Sequence, residues 1–467
     1  MGIFGSIYTC YSGICVTTLG MHVTSDNITN LNTTGFKGSR CEFMDRVAHA
    51  SGELFAGQKG LGSFVKDIRT LYTQGSIITT DIPTDLAILG KGFFIISDQK
   101  GNFFYTRDGQ FFINEIDENN FTLQNNLGLY LLGADPTVST ADLTSLKPYL
   151  IPKVMNPKST SEITLQLILD SREPVEEIDD PLWKNYDGTK EVPLNEGKYD
   201  FVWDLPIYDN LGENRYLKFY VDRTANPNEY EILVALDNPT LDGRGTGIYQ
   251  GAFLYGILTF GGNGEIVGAN FWEINDSNTF NPQTNTPLDL TTLHKPQFTL
   301  NIEGNIQSIT LDLGFKIESD GSITRMAYST KLLANPFVQL YYNQDGYPQG
   351  LFDKIEVITE EGLIKAWYTN GENIEVAKIF LADFMGYEDS LIRIGNNLFQ
   401  PKEGIMPFVF APGLYERARL ISGALEGSNV DLAMEMINLI VLQRSFQSNV
   451  RALTTLDQLL EDFFNKT

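Results

Sequence analysis

The chain has 467 residues, with 59 acidic and 34 basic side chains and a net charge of −25. So acidic a surface excludes broad contact with phosphate backbones or anionic lipid, and the length exceeds the usual span of one hydrophobic core, which predicts two or three domains. Apolar residues at 42%, with 30 Phe and 21 Tyr, exclude disorder over the whole length.

The first segment lacks a basic n-region, so no cleaved signal of the usual kind is expected. No apolar run approaches the roughly 20 residues needed to cross a bilayer. Phe4, Ile7, Tyr11, Ile14, Thr18, Met21, Ser25 and Ile28 are spaced by threes and fours, as in one seam of a coiled coil. The helix should begin at or before Gly5 and end between Asn30 and Asn32, with Gly35 just beyond. Cys10, Cys15 and Cys41 are odd in number and form no Cys-x-x-Cys pair, so partly buried thiols are expected rather than a disulfide framework. Gly57-Gln58-Lys59-Gly60-Leu61-Gly62 matches no phosphate-binding pattern and reads as a flexible loop.

The middle reads as β. Residues 88–96, 103–113 and 216–221 are rich in β-branched and aromatic side chains. Glycine-bearing turns recur at Gln99-Lys100-Gly101-Asn102, Arg107-Asp108-Gly109-Gln110, Gly262-Asn263-Gly264-Glu265, Ser319-Asp320-Gly321-Ser322 and Glu360-Glu361-Gly362-Leu363. These are hairpin signals, because Gly and its Asn or Asp neighbour tolerate positive φ. Short strands at this spacing predict sandwich or barrel-like domains. Residues 152–157 read as a linker, 173–180 as an acidic solvated loop, and 275–296 as a strand-poor stretch, which together bracket an inserted β domain.

Near the other end, Leu432, Met436, Leu439, Gln443, Phe446, Val450, Leu453, Asp457, Leu460 and Phe464 step by four and three throughout. A helix over 430–465 would be about 54 Å long, with Ser428 or Asn429 as its N-cap. The expected fold is therefore mixed: paired α-helical coiled-coil termini flanking two mainly-β domains. A lone two-helix hairpin buries little, so each seam needs a further partner. Repeating the contact between copies supplies one, and contacts that do not close generate a helical filament. The competing reading packs both helices on a globular core.

Little here suggests an enzyme. His22, His49 and His294 lack metal-ligand spacing. Glu176-Glu177 and Asp179-Asp180 fit a solvated acidic run better than a glycosidase dyad, and no EF-hand loop occurs. No catalytic residue, cofactor site or metal site is expected.

Ser25-Asp26-Asn27-Ile28-Thr29-Asn30-Leu31-Asn32-Thr33-Thr34-Gly35-Phe36-Lys37 resembles the N-terminal signature of flagellar rod and hook axial proteins. Thr84-Asp85-Leu86-Ala87-Ile88-Leu89-Gly90-Lys91-Gly92-Phe93-Phe94 and Tyr105-Thr106-Arg107-Asp108-Gly109-Gln110-Phe111 are similar to two further blocks of that family. So are Gly427-Ser428-Asn429-Val430-Asp431-Leu432 and Gln443-Arg444-Ser445-Phe446-Gln447-Ser448-Asn449, where Phe446 replaces a common Tyr. Tyr208-Asp209-Asn210-Leu211-Gly212, Asp345-Gly346-Tyr347-Pro348-Gln349-Gly350 and Gly395-Asn396-Asn397-Leu398-Phe399 resemble the hook branch in particular. Beyond Phe399 the segment Gln400-Pro401-Lys402-Glu403-Gly404 departs from it.

The resemblance implies a non-enzymatic subunit of the hook, a curved helical tube acting as a universal joint between motor and filament. It implies three layers: a tube domain of 1–71 and 416–467, a middle β domain of 72–155 and 326–415, and an outer β domain of 156–325. It implies export through the flagellar type III apparatus without signal cleavage, to the extracellular part of the basal body–hook structure. Implied partners are other copies of the chain, the hook cap, the distal rod, the hook–filament junction proteins and the export apparatus, with no nucleic acid, membrane insertion or cofactor. The implied assembly residues are Asn27, Ile28, Asn30, Thr34, Gly35, Phe36 and Lys37 near one end. Near the other they are Asn429, Val430, Asp431, Leu432, Met436, Leu439, Gln443, Arg444, Phe446, Gln447, Asn449, Leu453 and Leu460. A distal rod component, and a β-rich carbohydrate-active or carbohydrate-binding protein, are the alternatives.

Overall fold

The computed structural model describes residues 3–48, 59–174, 181–414 and 417–466. The chain divides into two units, one of residues 1–153, 352–368 and 373–467, the other of 154–351 and 369–372. The crossing after Lys153 falls within the stretch 152–157 that reads as a linker.

In the first unit a helix spans Ile3–Thr29 and a second spans Leu432–Lys466. They run antiparallel, because rising numbers on one meet falling numbers on the other. Gly13 abuts Asn449, Gly20 abuts Leu442, and Asn27 Nδ2 donates to Glu435 Oε1 at 3.2 Å. The helices pair as expected, but only partly along the expected seams: Leu439, Phe446, Val450, Leu453 and Leu460 are partly covered as expected. On the first helix the buried line is Thr17, Gly20, Thr24 and Asn27, each one residue before Thr18, Met21, Ser25 and Ile28. Small side chains let the helix axes approach closely, and the Thr17 hydroxyl is satisfied within its own helix by Gly13 O at 2.8 Å. On the second helix the partly covered line is Glu435, Leu439, Leu442, Phe446, Asn449, Leu453, Leu456 and Leu460. Leu432, Met436, Gln443 and Asp457, expected on the seam, are exposed. Among the described side chains of this helix none is fully buried. Its N-cap is Asp431, whose Oδ1 accepts from the N–H groups of Ala433 at 2.8 Å and Met434 at 3.2 Å, rather than Ser428 or Asn429.

An antiparallel ribbon of Ser39–Ala48 with Lys59–Thr70 lies against the first helix, with the Phe43 ring beside Gly20. Gly60, Leu61 and Gly62 therefore belong to a strand and not to the expected loop, while Gly57 and Gln58 lie outside the described residues.

Beyond the ribbon, strands join both ends of the chain. Ile77–Thr79 pairs with Ala424–Glu426, and Leu86–Gly90 with Ala418–Ser422. The run 88–96 is thus two strands, Leu86–Gly90 and Phe93–Ser97, broken where Gly90 and Gly92 both take positive φ. An antiparallel path then leads through Leu363–Tyr368, Asn373–Ile379, Tyr130–Ala134, Phe93–Ser97, Phe103–Thr106, Leu398–Pro401 and Leu391–Gly395. Its core gathers Phe93, Ile95, Tyr105, Leu132, Phe380, Phe384 and Phe399, with Tyr72 packed on the rings of Phe93, Tyr387 and Phe399.

The second unit is a β sandwich. One sheet is an antiparallel meander of Phe201–Tyr208, Asn214–Arg223, Glu229–Leu236, Ala252–Phe260 and Ile266–Glu273. The other centres on Glu162–Asp170, flanked by Asn305–Asp312, Lys331–Leu333 and Val338–Gln344. Alternate residues of both, among them Leu165, Leu167, Phe219, Ile232, Phe253 and Ile309, fill one continuous core. The stretch 275–296 holds a single helical turn, Leu290–Leu293, and no strand. Of the acidic loop, 175–180 lies outside the described residues, including Glu176, Glu177, Asp179 and Asp180.

Four of the five expected glycine turns close hairpins, with Gly101, Gly264, Gly321 and Gly362 all at positive φ. Arg107-Asp108-Gly109-Gln110 does not, because Phe103–Thr106 pairs elsewhere and Phe112–Glu115 pairs with Asn120–Gln124.

Candidate functional site, a buried junction of the two chain ends

Glu426 ends the strand that leads toward the C-terminal helix, and its side chain is 0% exposed. Lys37 Nζ donates to its Oε1 at 2.6 Å, Arg107 donates to its Oε2 at 2.9 Å, and the Gly75 N–H donates to Oε1 at 2.9 Å. Lys37 also donates to Thr73 O at 2.7 Å, and Arg107 to Ile88 O at 3.3 Å and Gly90 O at 2.7 Å. The carboxylate thus has two cationic partners, and each cation has backbone carbonyls besides. That is the condition under which charges persist in a protein interior. Burial holds the Lys37 ammonium below its ordinary range against the pull of Glu426, and the Arg107 charge adds to the lowering.

Backbone contacts tighten the same place. Gly35 N–H donates to Glu426 O at 2.7 Å, and Gly427 N–H to Ser76 O at 2.8 Å. Gly35 sits at φ +68°, and a Cβ there would lie 2.6 Å from Asp108 N. A Cβ on Gly109 would lie 1.6 Å from Leu86 O. The Arg107-Asp108-Gly109-Gln110 turn is therefore a wedge between the N-terminal loop and the Leu86–Gly90 strand, which explains why it closes no hairpin. Burial, with Asp85 adding its charge, pushes Asp108 up to about 6 against the bond from Gln110 N–H.

Asn429 ties the start of the last segment to the first. It accepts from Gly38 N–H at 2.7 Å and donates to Leu71 O at 2.7 Å and Thr73 O at 3.1 Å. Asn27 holds Ser39 from both sides, donating to its carbonyl at 2.7 Å and accepting from its N–H at 2.8 Å. Asn397 Nδ2 donates to Thr34 O at 2.8 Å. Phe36 is buried, with the Arg393 guanidinium 4.4 Å from its ring centroid.

The expected assembly residues therefore divide in two. Asn27, Thr34, Gly35, Phe36, Lys37, Asn429 and Val430 converge on the junction, with Val430 packed on Gly38, while the exposed Asp431 caps its own helix. Asn30 closes the end of the first helix by donating to Asp26 O at 2.9 Å, and Ile28 is half-buried beside it. Leu439, Phe446, Asn449, Leu453 and Leu460 lie on the intrachain seam, whereas Leu432, Met436, Gln443, Arg444 and Gln447 face outward. Sequence reasoning missed Glu426, and quoted Arg107 and Asn397 only as parts of blocks.

Of the histidines, His22 is exposed, His294 Nδ1 lies 2.8 Å from Ile317 O, and His49 lies outside the described residues. Among the described residues no group of His, Cys, Asp or Glu is placed to hold a metal ion, and no helix is long and apolar enough to cross a membrane. Cys10 and Cys41 are partly covered and Cys15 is exposed, all as free thiols. The junction is sealed and built of opposed charges and backbone bonds, which suits it to holding segments together.

Comparison with known proteins agrees along the chain. Residues 87–166 match the flagellar hook protein FlgE/F/G D1 domain, 176–347 the flagellar basal body protein FlaE D2 domain, and 421–465 the flagellar basal body rod FlgEFG protein C-terminal family. The flagellar hook protein FlgE of Borreliella burgdorferi is 28% identical, with 98% of each chain covered. That of Salmonella typhimurium is 28% identical over 97% of this chain and 98% of its own. The crystal structure of Helicobacter pylori flagellar hook protein FlgE2 aligns with 75% of this chain and all of its own, at 15% identity and a TM-score of 0.45. Three domain matches in order and hook relatives matched end to end establish that this chain belongs to the flagellar hook protein family, a structural component of the bacterial flagellum and not an enzyme.

Proposed function

We propose that the chain polymerises through its two terminal helices into the helical tube of the hook, a tube that bends while passing motor torque to the filament. One observation carries this reading: the helix Leu432–Lys466 runs 35 residues without a fully buried described side chain, and it exposes Met434, Met436, Ile437, Ile440 and Val441. A contiguous exposed apolar face of this kind is expected to be covered by a partner. The nested layers, with tube domain 1–71 and 416–467, middle domain 72–155 and 326–415 and outer domain 156–325, are part of the proposal. So are docking to the hook cap, distal rod and hook–filament junction proteins, and passage through the type III export apparatus. The buried junction then transmits load from the tube wall to the β domains.

Deleting residues 430–467 tests this. The truncated chain keeps Glu426 and Asn429, so its β units should stay folded by circular dichroism while electron microscopy finds no tubes. Tubes from the truncated chain, or none from the full-length protein under any nucleating condition, would overturn the proposal.

A further inference from the structure

On the N-terminal helix the exposed residues Phe4, Tyr8, Tyr11, Cys15 and Leu19 recur at helical spacing. At about 100° per residue they fall within an arc of about 80°. This stripe lies opposite the buried line of Thr17, Gly20 and Thr24. It is not a residue of poor packing, since Phe4 is 73% exposed and Tyr11 58%. The C-terminal helix carries a second patch on its back: Met436, Ile437, Ile440 and Val441, the last 59% exposed. From Arg444 onward that back turns polar, with Gln447 and Ser448.

Neither patch contains an acidic side chain, and the Arg46 guanidinium, which donates to Tyr8 Oη at 3.1 Å, places a cation at the edge of the stripe. Residues 1–25 contain no Asp, Glu, Lys or Arg, and neither do residues 436–443. Copies of a chain with a net charge of −25 repel one another over most of their surface. Close approach is cheapest where negative charge is absent and apolar area is largest. The patches also sit at different levels of the hairpin. Asn27 meets Glu435 and Gly20 meets Leu442, so Ile437 lies level with about residue 25, far from Tyr8 and Tyr11. One copy cannot join its own two patches.

We propose that the aromatic stripe Phe4, Tyr8 and Tyr11 of one copy docks on the aliphatic patch Met436, Ile437, Ile440 and Val441 of the next. This deepens the polymer reading and rests on it. The two surfaces differ, so the contact is heterologous and does not close. Its register sets successive copies about 23 Å apart along the helix axis, from about 15 residues of offset at 1.5 Å each.

Disulfide trapping in the full-length chain tests it. Cys10, Cys15 and Cys41 are first replaced by Ser, and Tyr11→Cys is combined with Ile440→Cys. Within one copy these sites are about 16 Å apart along the axis, too far for a disulfide, which needs Cα atoms within about 7 Å. Mild oxidation of the polymer should give a ladder of covalent oligomers on a non-reducing gel, and neither single variant should pass beyond dimer. Tubes that yield only monomer would overturn the proposed facing while leaving the hook reading intact; a parent chain that never forms tubes overturns both. Because the paired substitution could itself block assembly, Ile440→Glu is measured as well. It should raise the critical concentration at least about tenfold with an unchanged circular dichroism spectrum, and Gln447→Glu on the polar stretch should not. Assembly of Ile440→Glu at the parent concentration would overturn the contact.

Discussion

Replacing Glu426 by Gln leaves the shape of the side chain and removes its charge. Lys37 and Arg107, with side chains 1% and 4% exposed, then remain buried without the carboxylate that balances them. Removing one member of a buried, hydrogen-bonded ion pair costs about 3–5 kcal/mol. The loss should fall on the first unit, because the sandwich core of Ile163, Leu205, Phe253 and Ile309 contains none of these residues. Hydrogen exchange reads it locally, since Gly35 and Gly75 N–H groups are both bound to Glu426. Their exchange should quicken by about two to three and a half orders of magnitude, at about 1.4 kcal/mol per decade, while amides of the Glu229–Leu236 strand keep the parent rate. Adding Lys37→Met to Glu426→Gln should recover part of the loss by removing one orphaned cation. A change of less than tenfold at Gly35 and Gly75, or equal loss in both units, would refute the claim that this carboxylate holds the chain ends together.

Three more outcomes follow from the same geometry. Gly109→Ala should prevent stable folding of the first unit, seen as loss of its cooperative urea transition, because the new methyl would lie 1.6 Å from Leu86 O. Asp108 is raised from 3.8 to about 6 in the folded chain, so the folded state holds its proton more tightly; the stabilisation from the protonated form is complete below pH 4 and disappears as pH rises through 6. Asp108→Asn should therefore remove a pH-dependent loss of about 2–3 kcal/mol between pH 4 and pH 7, measured as a flatter stability profile across that window. Asp431→Ala should cost about 1 kcal/mol by losing the bonds to Ala433 and Met434 N–H, read as fraying of the first turn by amide exchange.

The helices were legible in the sequence because their apolar spacing persists over many turns. Of the faces that meet within one chain, Leu439, Phe446, Leu453 and Leu460 were legible on the second helix, but the face of the first was not, because Thr17, Gly20 and Thr24 pack through being small, and a search for apolar side chains passes over them. The apolar positions Phe4 and Tyr11 mark a stripe that stays exposed in the single chain. The ribbon of Ser39–Ala48 and Lys59–Thr70 escaped notice because charged residues interrupt it and both strands are largely exposed. At the junction, the Thr-Gly-Phe-Lys and Asn-Val-Asp segments were visible as family blocks. Glu426 was not, since its role exists only once Lys37, 389 residues away in sequence, is folded against it. Gly90 and Gly92 split an apparent single strand by taking positive φ, which residue preference alone does not reveal.

The sandwich unit begins and ends on one short antiparallel pairing, Val154 with Leu351 and Met155 with Gly350. Its entry and exit are therefore neighbours, so the roughly two hundred residues between them form a cassette on a two-strand neck. Such a cassette can be enlarged, shrunk or exchanged for a tight turn without rethreading the segments that carry Lys37, Arg107 and Glu426. Variation in length could accumulate there while the junction of the chain ends stayed the same, and a fluorescent or affinity domain grafted between Met155 and Gly350 would leave that junction uninterrupted.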